Sequence, residues 1–195
     1  MNFNTAELSR LIRHRRSIPP EQFAAGKKVE DALIHEMLEN AKWAPTHGLT
    51  EPWRFTVFTG TGLKKLGQFQ AELYKKITPA PEFKQPKYDK LLQRPSLASH
   101  VISIGMKRQE SGKIPEVEEI EAVACAVQNM FLTATAQGVA AYWTTGGITY
   151  DEAAKDFFGL EEKDKLLGFF YIGQHEGELP QGKRTAVSEK VKWIS

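Results

Sequence analysis

The stretch from Ile120 to Gln137 constrains this chain more than any other. Val123, Ala124, Val127, Met130, Phe131 and Ala134 recur at helical spacing and cover a broad face, and Gly138 is a natural C-terminal stop. A helix this apolar belongs at the centre of a fold, with other elements packed around it. Val139 to Thr145 follows as a strand ending at Gly146-Gly147. Three further segments read as strands: the alternating Arg54–Thr59, His100–Met106, and Leu166–Ile172 before Gly173.

Helices alternate with these strands. One starts near Asn4, where an Asn cap with Glu7 three residues on precedes the stripe Leu8, Leu11 and Ile12, and it must stop before Pro19-Pro20. A second runs from about Val29 to Ala41 through Leu33 and Met37, with Pro45 just beyond. A third follows Gly60-Thr61-Gly62 with Leu63, Leu66, Phe69 and Leu73. That turn is no dinucleotide fingerprint, because the third glycine falls on Lys65. Pro79, Pro81 and Pro86 among charges predict an exposed connection over Thr78 to Lys90. Interleaved helices with four strands mean α+β or α/β in three layers.

At 195 residues the chain is long enough for one domain, 1–195, with a real core. Apolar residues at 41% and charged residues at 26% fit a soluble globular protein. With 26 Lys and Arg against 24 Asp and Glu, the net charge of +2 leaves no basic surplus for a nucleic acid. Met1 to Ser9 lacks an apolar signal region and no apolar run reaches membrane-spanning length, so a cytoplasmic location is expected.

The five histidines show no metal-ligand spacing, so no metal is expected. The single cysteine, Cys125, sits mid-helix in an apolar stretch and reads as a buried, inert thiol. There is no Gly-x-Ser-x-Gly elbow and no P-loop, so the chemistry of an enzyme built this way belongs to a bound organic cofactor. Three segments stand out. Arg13-His14-Arg15-Arg16-Ser17 closes the first helix: the helix dipole alone favours cations there, but clustered guanidiniums with a hydroxyl also make a phosphate cradle. The second is the run from Trp43 through Ala44-Pro45 and a polar loop to Pro52-Trp53, where both tryptophans can equally be core residues. The third is Gln137-Gly138 through Trp143-Thr144-Thr145-Gly146, in its plainest reading a helix-to-strand turn.

Taken together and in order, these segments resemble the nitroreductase family of FMN-dependent oxidoreductases. The resemblance rests on Arg15-Arg16-Ser17, Ala44-Pro45, Glu51-Pro52-Trp53-Arg54-Phe55, the helix to Gly138, Trp143, and Tyr171-Ile172-Gly173, and runs from about Leu8 to Gly173. It implies an α+β, three-layer fold with a mixed, mostly antiparallel sheet, and a homodimer with FMN at the interface. By likeness, Arg15, Arg16 and Ser17 hold the flavin phosphate, ribityl chain and pyrimidine edge, completed by Lys183 and Arg184. Trp43 and His47 reach the flavin from the partner subunit, and Trp143, Thr144 and Thr145 line it. Thr133, Ala134, Thr135, Ala136, Gln137 and Gly138 match a stretch assigned to the nicotinamide cofactor. The expected reaction is ping-pong: NADH or NADPH reduces the flavin, which then reduces a nitroaromatic, quinone or similar electron-poor acceptor.

Two positions depart from the family pattern. Glu51 replaces the usual Gln before Pro-Trp, and Thr144 stands where some relatives carry Arg. The segment 64–94 lies where the family varies its substrate cap, and its Tyr74, Phe83 and Tyr88 are candidates either for stacking on an aromatic substrate or for ordinary packing. The apolar residues Val187, Val191, Trp193 and Ile194 of the arm 180–195 are expected to wrap a partner. The same fold also serves dehalogenating or flavin-cleaving chemistry, or a flavin-binding dimer without turnover.

Overall fold

The computed structural model describes residues 3–195. Helix α1 (Thr5–His14) begins where the Asn4 side chain accepts hydrogen bonds from the backbone N–H groups of Ala6 and Glu7, at 3.0 and 3.2 Å. Such a cap is worth about 1 kcal/mol. The helix buries none of its residues, and its apolar Leu8 and Ile12 are half exposed. Helix α2 (Asp31–Ala41) starts two residues later than its pattern predicts. Val29 lies in the core, but its N–H is taken by Ser99 Oγ at 2.8 Å and not by a helical turn.

Strand β1 (Trp53–Thr59) leads through Gly60 into helix α3 (Thr61–Ile77). The connection expected over Thr78–Lys90 is instead largely structured. Pro79 and Pro81 shape a short helical turn at Ala80–Glu82, and helix α4 (Gln85–Gln93) follows. Pro86 stands in the first turn of α4, where a missing N–H costs nothing. Tyr74 and Phe83 stack with ring centroids 5.6 Å apart and Phe83 meets Tyr88 at 6.2 Å, so these aromatics pack on one another.

Strand β2 (His100–Met106) is buried along its whole length. It is followed by helix α5 (Glu116–Ala136), which starts four residues before the predicted Ile120. The earlier start is acidic, Glu116, Glu118 and Glu119, as the positive helix end favours. Gly138 adopts φ 68° just after the last turn, and Val139 N–H closes onto Ala134 O at 2.8 Å. That bond keeps Val139 with the helix end, so strand β3 begins at Ala140 (Ala140–Thr144). Strand β4 is Lys165–Gly173.

The sheet order is β1-β2-β4-β3, with every neighbouring pair antiparallel. One isolated parallel bridge, Ser17 to Ala141, joins the residues after α1 to the edge of β3 without adding a strand. On one face α2 and α5 cover Ile102, Ile104, Phe170 and Ile172. On the other, α3 and the segment around Phe158 cover Val101, Phe169 and Tyr171. The result is an α+β fold in three layers.

Helix α5 is central, as its composition requires, but Cys125 is exposed and not buried. The inward rows of α5 are Ala122, Val123, Ala126, Val127 and Met130, and position 125 lies outside them. Among the described residues, no helix is long and apolar enough to cross a membrane.

Candidate functional site

The end of α1 and the C-terminal arm meet. Arg13, Arg15, Arg16 and Arg184 line a cleft of about 640 Å³ with Ile12, Gln128 and Gly182, and among the described residues no carboxylate lines it. Arg15 donates to Ser17 Oγ at 3.3 Å, and its guanidinium lies over the Phe131 ring, 4.8 Å from the centroid. Burial, then the charges of Arg184 and Arg16, lower the Arg15 pKa from its ordinary value. Arg16 is engaged differently: its Nε and Nη1 donate to main-chain carbonyls. Lys183 is exposed on the arm and does not line the cleft. Guanidiniums drawn from both ends of the chain thus concentrate positive charge at one cleft, an environment suited to a multiply charged anion.

A second cavity, of about 170 Å³, opens between the end of β3 and helices α3 and α4. Thr144, Gly146 and Gly147 form one wall and Gln70, Leu91 and Arg94 the other. Gln70 is 2% exposed and its Oε1 has no hydrogen-bond partner, a cost rarely left standing in a buried group without a ligand or water to meet it. Arg94 lies over the rings of Tyr142 and Tyr171, 5.2 and 5.4 Å from their centroids, and pairs with Glu21 at 3.0 Å. Burial acts to raise the Glu21 pKa, but its own backbone N–H, Arg94 and Lys90 outweigh it and lower the value. Burial pushes the Tyr171 hydroxyl up to about 12, against the lowering influence of Arg94 and Gln70.

Trp143, partly buried, donates its indole N–H to Leu167 O at 3.0 Å and packs against the core. Thr144 Oγ1 accepts from Gly146 N–H at 3.4 Å, and Thr145 is exposed. Gln70 and Arg94 carry no sequence signal, because a glutamine in an amphipathic helix looks like a surface residue.

Trp53 packs against the core, whereas Trp43 is 77% exposed. The loop between them is held in an uncommon conformation, with positive φ at Gly48, Leu49 and Glu51. Non-glycine residues pay for that geometry. It is pinned by Thr46 Oγ1 to Thr50 Oγ1 at 3.0 Å, by Arg54 to Glu51 O at 3.0 Å, and by His47 Nδ1 to Glu118 Oε2 at 2.6 Å. Trp43, His47 and Leu49 therefore stand outward on a fixed loop.

The segment 133–138 divides. Thr133 and Ala134 are buried, Thr133 bonding Asn40 and Asn129 O, so neither side chain is open to a soluble ligand. Thr135 and Gly138 instead border a cavity of about 220 Å³ with His14, Arg16 and His175, while Ala136 and Gln137 are exposed. The arm 180–195 is exposed throughout, Trp193 at 92%.

The profile described as "Nitroreductase family" matches residues 12–174. The Escherichia coli (strain K12) protein named "Putative NAD(P)H nitroreductase YdjA" is 32% identical over 154 residues, covering 77% of this chain and 82% of that protein. Among solved structures, a nitroreductase-like family protein from Bacillus cereus superposes with a TM-score of 0.79 at 26% identity, covering 100% of this chain and 98% of the other. The FMN-dependent nitroreductase NfnB from Mycobacterium smegmatis, in complex with NADPH, gives a TM-score of 0.73 at 18% identity, covering 98% of this chain and 100% of that one.

Proposed function

Because the chain belongs to the nitroreductase family, we propose that it is an FMN-dependent NAD(P)H oxidoreductase that reduces nitroaromatics, quinones or related electron-poor acceptors. The observation that carries this reading is the cleft that Arg15 and Arg184 both line, with no carboxylate there among the described residues. A phosphate monoester carries nearly two charges and needs several fixed donors, which this cleft offers.

The buried polar groups fit the rest of such a cofactor. Gln70 Oε1 is an acceptor without a donor, and a flavin pyrimidine edge presents an N–H between two carbonyls. Arg94, held by Glu21 and two tyrosine rings, would be the cation for a carbonyl of that edge. When bound, FMN supplies two-electron hydride chemistry, accepting from NADH or NADPH and passing the electrons to the acceptor. The residues of the chain bind and orient: Arg15, Ser17 and Arg184 fix the phosphate end, and Trp143, Thr144 and Thr145 line the ring end. A fixed cation at that edge would favour the reduced, negatively charged form of such a cofactor.

The functional unit in this reading is a homodimer. The exposed Leu8, Ile12, Trp43, Leu49 and Trp193 are apolar surface that a second copy covers, bringing its own Trp43 and His47 to the flavin. Steady-state kinetics with NADPH or NADH and a quinone test the reading. Parallel double-reciprocal lines, with activity dependent on FMN, are the expected result. A protein that binds FMN but turns over no nitroaromatic or quinone with either nucleotide overturns it.

A further inference from the structure

Arg16 lines the cleft too, yet its Nε and Nη1 donors are spent on main-chain carbonyls. Nε donates to Pro180 O at 2.6 Å, and Nη1 to Arg13 O at 2.7 Å and Arg15 O at 2.8 Å. Nη2 lies against Gly182, where an added Cβ would come within 2.5 Å. Among the described residues, the bond to Pro180 is the one hydrogen bond that joins 180–195 to the rest of the chain. The arm's other bonds, at Arg184, Glu189 and Lys190, are local.

A guanidinium committed to three carbonyls in this way is a clamp. It closes the end of α1 and fixes the place at which the arm crosses it. Two residues beyond Gly182 comes Arg184, which lines the same cleft as Arg15 and lies near enough for its charge to act on it.

We propose that Arg16 is a positioning residue and not an anion ligand: it pins the arm at Pro180 and Gly182 so that Arg184 reaches the cleft beside Arg15. Mutual repulsion of Arg15 and Arg184 opposes this arrangement until an anion arrives, so the clamp must hold the arm against it. Gly182 serves the same clamp from the other side, by leaving room for the guanidinium. The inference rests on the reading that the cleft takes the phosphate of FMN, and its test separates the two.

The experiment measures FMN and riboflavin affinity for the wild type, R16A, R184A, the double variant and G182A, with thermal midpoints as a folding control. Riboflavin lacks the phosphate. R16A and R184A are each expected to weaken FMN by roughly tenfold or more, the worth of a charge-assisted hydrogen bond. The double variant is expected to be no weaker than R184A, because Arg16 acts through Arg184. Gly182 has no positive φ, so G182A acts through the Arg16 contact and should reproduce R16A. Riboflavin affinity should be unchanged throughout. Losses that multiply in the double variant make Arg16 a direct ligand and overturn the proposal, as does an R16A that binds FMN like the wild type. An equal loss for riboflavin overturns it too, by showing a general structural defect. Trypsin cleavage after Lys183 and Arg184 without ligand supplies an independent readout, expected to be faster in R16A and G182A. If the wild type binds no FMN, the cofactor reading fails, and trypsin still decides the clamp: equal cleavage rates refute it.

Discussion

The imidazole Nδ1 of His47 lies 2.6 Å from Glu118 Oε2, joining the outward loop after α2 to the first turn of α5. A carboxylate only accepts, so Nδ1–H donates to Glu118 and the contact fixes the orientation of the ring. Both side chains are substantially exposed, so the pair contributes little to stability. E118Q should leave the unfolding free energy within about 0.5 kcal/mol. If His47 covers the flavin of a second copy, H47A should lower kcat/KM for the acceptor several-fold while stability holds. Urea denaturation and steady-state kinetics on the same preparations check both halves.

Glu119, the next residue, behaves oppositely. It is 1% exposed, ion-paired to Arg108, and accepts the Gln109 N–H at 3.1 Å, while Arg108 also donates to Ile114 O at 2.7 Å. Removing one partner of a buried pair leaves an uncompensated charge, at a cost of about 3–5 kcal/mol. E119A is expected near the lower end, because Arg108 keeps some solvent access. Ile114 also packs beside Gly48, so E119A should loosen the His47 loop, seen as faster hydrogen exchange there.

Phe170 is fully buried in β4 and meets Phe131 of α5 edge-on, with centroids 4.7 Å apart. It joins the sheet to the central helix. Phe170→Ala should cost about 3–5 kcal/mol, from lost transfer energy and a cavity that the packed faces of β2 and β4 cannot close. Denaturant midpoints with an unchanged m-value check this.

Tyr171 gives a pH dependence of definite sign. Its folded pKa is about 12, above the ordinary value of 10.0, chiefly because burial disfavours the phenolate. Folding therefore keeps its full contribution from the neutral hydroxyl below pH 10 and loses it as pH rises towards 12. The whole loss is on the order of 3 kcal/mol. Y171F should flatten this alkaline decline, measured as unfolding free energy against pH.

The regular elements were legible in the sequence wherever one face of a helix or strand carries the pattern. α5, β1, β2 and β4 lie close to where periodicity puts them. Thr78–Lys90 was not legible, because prolines mark both a helix start and a loop, and only the packing of α4 on α3 decides. Cys125 misled because its immediate neighbours are apolar, although Glu121 and Gln128, four residues before and three after, mark the outward row on which it sits. Within the site, Arg15, Ser17 and Arg184 stand out as residue types. Arg16 reads identically to Arg15 in the sequence, and only the crossing of the arm at Pro180 separates clamp from ligand. Gln70 is invisible for a related reason: its burial is created by α4 and β4, far along the chain.

The central claim is that this chain carries FMN and takes electrons from a reduced nicotinamide. The most direct measurement is the visible absorbance of the protein reconstituted with FMN, before and after anaerobic addition of NADPH or NADH. The account predicts a bound flavin spectrum that bleaches on addition of one of the nucleotides and returns when a quinone is added. A protein that takes up no FMN, or whose bound flavin stays oxidised with both nucleotides, would contradict it.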